Sequence, residues 1–221
     1  MSKVAVIIVA GGSGKRFGNV ISKQFLELKG LPILMHTLNA FEKAIEKPEL
    51  ILVLAEDQFS FWNKLCQKHD FLLQHTIVKG GAQRFFSVQN GLSEVSDVAE
   101  IVAVHDGVRP LVSTKLIQDC ISAAEIHQTA IPVVPLTDSI RILENGGSRI
   151  ADRNRLRAVQ TPQCFQKDVL ISAYNQSYAD DFTDDASVVE KAGQSIHLCE
   201  GDSNNIKITH QKDIIIAEAL M

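Results

Sequence analysis

Short, almost unbroken apolar runs alternate along this chain with longer stretches in which apolar residues recur every three or four positions. The runs are Val4–Val9, Leu50–Ala55, His75–Val78, Ile101–His105 and Thr129–Val134, rich in Val, Ile, Leu and Ala. Such continuous apolar content predicts strands covered on both faces, as in a parallel sheet. Between them, Pro32 suits a first helical position, and Leu34, Leu38, Phe41 and Ile45 then fall on one stripe. Asp57 is placed to cap a helix carrying Phe61, Leu65 and Lys68, and another helix is expected from about Gln83 to Val95. Ser113 is placed to cap the next, with Leu116, Cys120, Ala123 and Ile126 as its buried stripe. This alternation predicts an open α/β sheet with right-handed crossovers and helices on its faces.

The rhythm breaks between Leu136 and Pro162. There Ser139–Leu143 and Ser148–Asp152 flank Glu144-Asn145-Gly146-Gly147, which is turn chemistry suited to a β-hairpin. The piece has few large apolar residues and many charges, so residues 136–160 are expected to project as an arm and to pack against a second subunit. Helices over Lys167–Tyr178 and Asp184–Lys191, a strand at Ser195–Cys199 and a last helix from about Gln211 follow. With no repeat, low-complexity tract or flexible linker, residues 1–221 read as a single domain with an arm.

Composition narrows the partners. The 221 residues are 45% hydrophobic and 22% charged, ordinary for a globular enzyme, and the formal charge is −4. A general nucleic-acid or anionic-membrane surface is therefore disfavoured, and any anionic ligand must be met by local basic clusters. No apolar stretch approaches the roughly 20 residues of a membrane span. Val4–Ala10 is short for a signal-peptide core and lacks a cleavage site, so a cytoplasmic protein is expected. Cys66, Cys120, Cys164 and Cys199 are far apart, without a C-x-x-C pair, and read as buried, reduced, inert thiols.

Candidate chemistry gathers at strand ends. The first strand runs directly into Ala10-Gly11-Gly12-Ser13-Gly14-Lys15-Arg16-Phe17-Gly18, whose glycines permit a nest of backbone N–H groups for an anion. It is not a P-loop, because Val9 stands where the first glycine belongs and Arg16 where a Ser or Thr would hold Mg²⁺. It is not a dinucleotide fingerprint, because Phe17 takes the place of the third small residue. Lys15, Arg16 and Lys23 suit three phosphates; the bland alternative is a solvated turn. Gly80-Gly81-Ala82-Gln83-Arg84, with Ser87 a turn later, permits close approach to a flat ligand or is only a tight strand-to-helix turn. In His105-Asp106-Gly107-Val108-Arg109-Pro110, Asp106 is a natural Mg²⁺ partner, and Arg109 could be its structural salt bridge. Arg153, Arg155 and Arg157 ahead of Gln160-Thr161-Pro162-Gln163 suggest an anion site or an interface. Phe182-Thr183-Asp184-Asp185-Ala186 reads first as a helix start, and Lys207 stands just before the last helix.

Taken in order, these blocks resemble the cytidylyltransferase family that makes CDP-activated polyols. AGGSGKRFG with Lys23-Gln24, GGAQR with Ser87, HDGVRP, the Arg153 region with QTPQ, FTDDAS and NIKIT span positions 10 to 209 in the family's order. The resemblance implies a Rossmann-like nucleotidyltransferase fold, a mostly parallel twisted sheet flanked by helices. It also implies a homodimer built through the arm with a shared active site. The implied reaction is Mg²⁺-dependent transfer of cytidylyl from CTP to a polyol phosphate. The substrate indicated is 2-C-methyl-D-erythritol 4-phosphate, on the route to isoprenoid precursors, because Asp-Arg-Asn-x-Leu before QTPQ resembles that branch. Ribitol 5-phosphate is the alternative, and a silent nucleotide-binding regulator a more distant one.

By resemblance, Arg16, Lys23 and Lys207 would be catalytic. Ala10, Gly11, Gly12, Ser13, Gly14, Lys15, Gly81, Arg84, Ser87, Asp106 and Gly107 would bind the nucleotide. Asp106, Arg109, Ser139, Arg153, Thr161 and Thr183 would bind the polyol phosphate, with Asp106 also at the metal. Departures are Gly107 and Val108 where members often carry alanine, Ser139 where Asp138 is usually followed by Thr, and Arg157 where many have Trp.

Overall fold

The computed structural model of the chain describes residues 2–11 and 22–221. Gly12, Ser13, Gly14, Lys15 and Arg16, all assigned above to phosphate or nucleotide, lie outside the described residues. The described chain begins with β1 (Val4–Val9), then a small hairpin of β2 (Glu27–Leu28) and β3 (Leu31–Pro32) leading into α1 (Ile33–Ala44). β4 (Glu49–Leu54), α2 (Phe59–Lys68), β5 (Thr76–Lys79), α3 (Arg84–Leu92), β6 (Ile101–Asp106), α4 (Thr114–His127) and β7 (Thr129–Pro135) follow in strict alternation. The arm is β8 (Ile140–Glu144) and β9 (Gly147–Ala151). Then come β10 (Arg157–Val159), β11 (Gln163–Gln166), α5 (Lys167–Tyr174), α6 (Asp185–Lys191), β12 (Leu198–Glu200) and α7 (Gln211–Leu220).

β1 sits between β4 and β6, parallel to both, with Val6 opposite Leu50 on one side and Ala103 on the other. β5 continues the parallel run beyond β4. The sheet is mainly parallel, but β11 enters antiparallel between β6 and β7. β10 pairs antiparallel with the far half of β7, and β12 lies parallel on its other side. Strand side chains point alternately to opposite faces, and both faces are covered. Val4, Val6, Ile8, Leu50, Leu52, Ile101 and Ala103 share a core with Leu34, Leu38 and Phe41 of α1, Trp62 of α2, and Leu116 and Cys120 of α4. Ala5, Ile7, Ile51, Val53, Val102 and Val104 pack with Phe85 and Val88 of α3, Leu170 and Tyr174 of α5, and Val188 and Val189 of α6. That double cover is why the strands show no apolar–polar alternation.

Several expectations are corrected. Asp57 lies in a 3-10 turn over Glu56–Gln58, and Gln58 takes the cap position of α2 without a side-chain capping bond, its amide being engaged by Gln24 and Ser22 instead. Ser113 does cap α4, accepting from the Leu116 amide. Its buried stripe, however, is Leu116, Ile117, Cys120 and Ala124, and Ile126 is 75% exposed. Position 126 falls about 120° around the helix from Cys120, whereas 124 falls nearly beneath it. α5 ends at Tyr174, and Tyr178 packs from the following loop on Phe85 and Phe86. β12 covers only Leu198–Glu200. Cys120 and Cys164 are buried, but Cys66 and Cys199 are only half-buried, all four as free thiols.

The arm turns on Asn145-Gly146, with Glu144 paired to Gly147 and Gly146 at φ +88°. A positive φ of this size suits glycine, which has no Cβ to clash with the backbone. Among the described residues β8 and β9 pair only with each other, and Leu143 and Ile150 are 85% and 73% exposed. No helix among the described residues is long and apolar enough to cross a membrane.

Candidate active site

The parallel strands end in a cleft of about 420 Å³ whose lining includes Ala10, Gly11, Lys23, Gly81, Arg84, Ser87, Asp106 and Lys207. Carboxyl ends of parallel strands are where such sheets offer a crevice. Here the ends are tied together: the Ala10 amide donates to Val53 O at 2.9 Å and the Gly107 amide to Val9 O at 3.0 Å. Gln24, fully enclosed beside Lys23, donates to Ala10 O at 2.9 Å and to Gln58 Oε1 at 2.9 Å. It thereby holds the turn carrying Lys23 against the end of β1. Gln24 was not among the candidates, because nothing in a lone glutamine announces that its amide is buried and doubly bonded.

On the second wall, Ser87 Oγ accepts from the Gly81 amide at 3.0 Å and donates to Gln83 O at 3.1 Å. The hydroxyl fixes the double-glycine turn to the first turn of α3. Arg84 lines the cleft while its two terminal nitrogens donate to the two oxygens of Asp185, at 2.8 and 2.5 Å. Asp185 is completely buried and also accepts from the Tyr174 hydroxyl at 2.7 Å. Burial works against the charge on Arg84, but the Asp185 carboxylate outweighs it, and the guanidinium is held more firmly protonated than usual. Neither Asp185 nor Tyr174 was a candidate. Asp185 reads from sequence as a second acid at a helix start.

Asp106, at the end of β6, is the only acidic residue lining the cleft among the described residues. Its Oδ2 meets Arg109 Nε at 3.2 Å and Lys207 Nζ at 3.0 Å. Burial alone would raise its pKa; Lys207, Arg84 and Arg109 together reverse that and hold it well below the usual carboxylate range. Arg109 also donates to Asn205 O at 2.8 Å, and the buried Asn205 amide donates to Thr161 O at 2.8 Å. Thr161 Oγ1 accepts from the Asp106 amide at 3.1 Å and lies 3.0 Å from His105 Nδ1. Burial pushes His105 down to about 4, so the ring stays neutral behind Asp106. The positions of Asp106 and of the segment bearing Lys207 thus follow from a buried network that His105, Arg109, Thr161 and Asn205 share.

Arg109, Thr161 and Gly107 are not in the cleft lining; they form its backing. Gly107 packs so closely that an added Cβ would come within 3.0 Å of Ala10 Cβ and Leu34 Cδ1. Ser139 and Arg153 line a separate depression on the arm, where Arg153 donates to Thr137 O. Thr183 is exposed on the loop before α6, its amide donating to Ser187 Oγ at 3.0 Å, with Asp184 capping the helix in a capping box. The structure therefore gathers Ala10, Gly11, Lys23, Gly81, Arg84, Ser87, Asp106 and Lys207, and leaves Ser139, Arg153 and Thr183 outside that cleft.

No cluster of three or more His, Cys, Asp or Glu suited to a metal occurs among the described residues. Mg²⁺ commonly takes one or two carboxylates and completes its shell with phosphate oxygens and water. Asp106 alone, ionised and at the cleft, fits an ion that arrives with a triphosphate rather than one held in a protein cage.

The family model for 2-C-methyl-D-erythritol 4-phosphate cytidylyltransferase matches residues 4–221. The chain is 47% identical over 219 residues to the protein of that name from Bacteroides thetaiotaomicron, covering 99% of this chain and 100% of the relative. The fold is similar to that of the 4-diphosphocytidyl-2C-methyl-D-erythritol synthase from Anaerococcus prevotii, with TM-score 0.83, 28% identity, and 99% and 98% of the two chains covered. It is also similar to the 2-C-methyl-D-erythritol 4-phosphate cytidylyltransferase from Thermus thermophilus, with TM-score 0.80, 31% identity, and 100% and 98% covered.

Proposed function

The chain belongs to the 2-C-methyl-D-erythritol 4-phosphate cytidylyltransferase family, and on that premise we propose that its cleft transfers cytidylyl from CTP to 2-C-methyl-D-erythritol 4-phosphate. The observation carrying this reading is that Lys207 and Lys23 line the same cleft as the ionised Asp106 and the Gly81–Ser87 turn. A phosphate monoester oxygen attacks the α-phosphorus of CTP. A new P–O bond forms, the bond bridging the α- and β-phosphates breaks, and pyrophosphate leaves with the electron pair. The second ionisation of a phosphate monoester lies near pH 6, so no strong base is required. The obstacle is two polyanions meeting, which fixed cations relieve by orientation and charge stabilisation.

In this reading Lys23 and Lys207, with Arg16, hold the triphosphate and the charge that develops at the α-phosphate. The backbone of Ala10, Gly11 and Gly81, with Ser87, meets the cytosine. Asp106 would hold Mg²⁺, which would supply positive charge against the phosphate oxygens. Ser139, Arg153 and Thr183 serve the polyol phosphate. Arg153 lies on an arm whose strands pair only with each other and whose Leu143 and Ile150 are open to solvent. That favours a homodimer in which each arm completes the other copy's site. Sedimentation at assay concentration should give a dimer; an active monomer would refute the shared site.

Pyrophosphate release is expected from CTP only when Mg²⁺ and the polyol phosphate are both present. Methylerythritol phosphate should be turned over well and ribitol 5-phosphate poorly. Turnover with ribitol 5-phosphate alone would reverse the choice of substrate, and release with neither would leave a nucleotide-binding regulator.

A further inference from the structure

Arg84 is in an unusual position for a cation beside a triphosphate. Its guanidinium is engaged end-on by Asp185, one oxygen to each terminal nitrogen, and the acid is itself fully buried and bonded to Tyr174. The pair as a unit carries no net charge, so it adds little to the attraction for phosphates. What Asp185 supplies is direction. A guanidinium has five N–H donors in a rigid fork, and a bidentate carboxylate leaves the others aimed in fixed directions. The Arg84 side chain is 29% exposed and lines the cleft. It also opens α3, whose Ser87 holds the Gly81 amide.

We propose that Asp185, seated by Tyr174, is a positioning residue for CTP: it orients Arg84 and with it the first turn of α3 and the Gly81–Ser87 contact. This rests on reading the cleft as a CTP site. The segment carrying Thr183 has ties of its own besides the pair. Gln163 Nε2 donates to Asp184 Oδ2 at 2.8 Å, Gln163 Oε1 accepts from the Ala186 amide at 2.9 Å, and Ser187 Oγ accepts from the Thr183 amide. The effect of Asp185 therefore falls chiefly on CTP, and much less on the polyol phosphate.

Removing one member of a buried ion pair strands the other, whereas replacing both with apolar residues of similar volume is often neutral for stability. The informative variant is thus the double Arg84→Met/Asp185→Leu, with Tyr174→Phe as a milder change that leaves the pair intact. Steady-state kinetics with CTP and methylerythritol phosphate, well below the melting temperature, should show the KM for CTP raised about tenfold or more in the double variant. That is the scale of losing a charged hydrogen bond. Tyr174→Phe should move it the same way by about two- to fivefold, since it removes one hydrogen bond to the Asp185 carboxylate and leaves the bidentate contact with Arg84 in place. The KM for the polyol phosphate should stay within about threefold, well short of a charged contact's worth. A double variant that melts near the wild type and keeps the wild-type KM for CTP would overturn the proposal. So would equal rises in both KM values, which mark general loosening. If the double variant fails to fold, an unchanged KM for CTP in Tyr174→Phe overturns it. Absence of turnover in the wild type would instead fail the underlying reading of the cleft.

Discussion

Lys207→Ala should lower the rate of cytidylyl transfer by about 10²–10³-fold, the usual scale for removing one fixed group that stabilises transition-state charge. The fold should survive it. The Lys207 side chain is 45% exposed, so its ion pair with Asp106 is open to solvent screening, and pairs of that kind contribute about 0–1 kcal/mol. Asp106 also keeps Arg109 at 3.2 Å and the Thr161 hydroxyl on its amide. Single-turnover conversion of CTP, alongside a melting curve, separates the two effects. A rate within about threefold of the wild type, far below the loss expected for such a group, would remove Lys207 from the reaction and leave it a surface partner of Asp106.

The second large effect belongs to a residue without a side chain. A Cβ on Gly81 would stand 2.3 Å from Phe86 Cβ and 2.9 Å from the Phe86 carbonyl carbon. The second of these is helix backbone, which cannot swing aside. Gly81→Ala should therefore cost about 1–3 kcal/mol of stability, as overpacking does. It should also raise the KM for CTP about tenfold or more, because the amide that Ser87 accepts from must move. Gly11→Ala is the matched control. There the nearest atoms would be Ser87 Oγ at 3.7 Å and Gly80 Cα at 3.8 Å, ordinary contact. Its melting temperature should be unchanged, and any loss should appear only in nucleotide binding. Equal melting temperatures for the two variants would mean that the turn at Gly81 relaxes freely.

These contrasts mark how far the amino-acid sequence could be read. The strands near the cleft were legible because burial on both faces leaves unbroken apolar runs, and the β8–β9 hairpin because Glu144-Asn145-Gly146-Gly147 is turn chemistry between two short stretches. Ser113 was legible as a cap because the signal is local. β10 and β11 were not: runs of three and four residues carry no period, and only pairing with β6 and β7 makes them strands. Asp57 failed for the converse reason. A capping residue is recognised by its type, but one 3-10 turn shifts the helix start past it. At the site, the glycines and exposed cations stood out, whereas Gln24, Asp185 and Asn205 did not. Each is a buried polar residue whose role is defined by a partner far along the chain, as Arg84 is for Asp185.

The cleft joins Ala10 and Gly11, near one end of the described chain, to Lys207, near the other, with Gly81 and Asp106 between. A site closed by such distant segments is of high contact order, and it forms only when the whole topology is in place. Competence for CTP is then a property of the complete fold, and no fragment carrying a few of the motifs inherits it. By the same logic, nucleotide binding should pull against global unfolding rather than fraying at either end. Bound CTP would act as a clasp on the entire sheet, so resistance to proteolysis and retention of activity should rise and fall together.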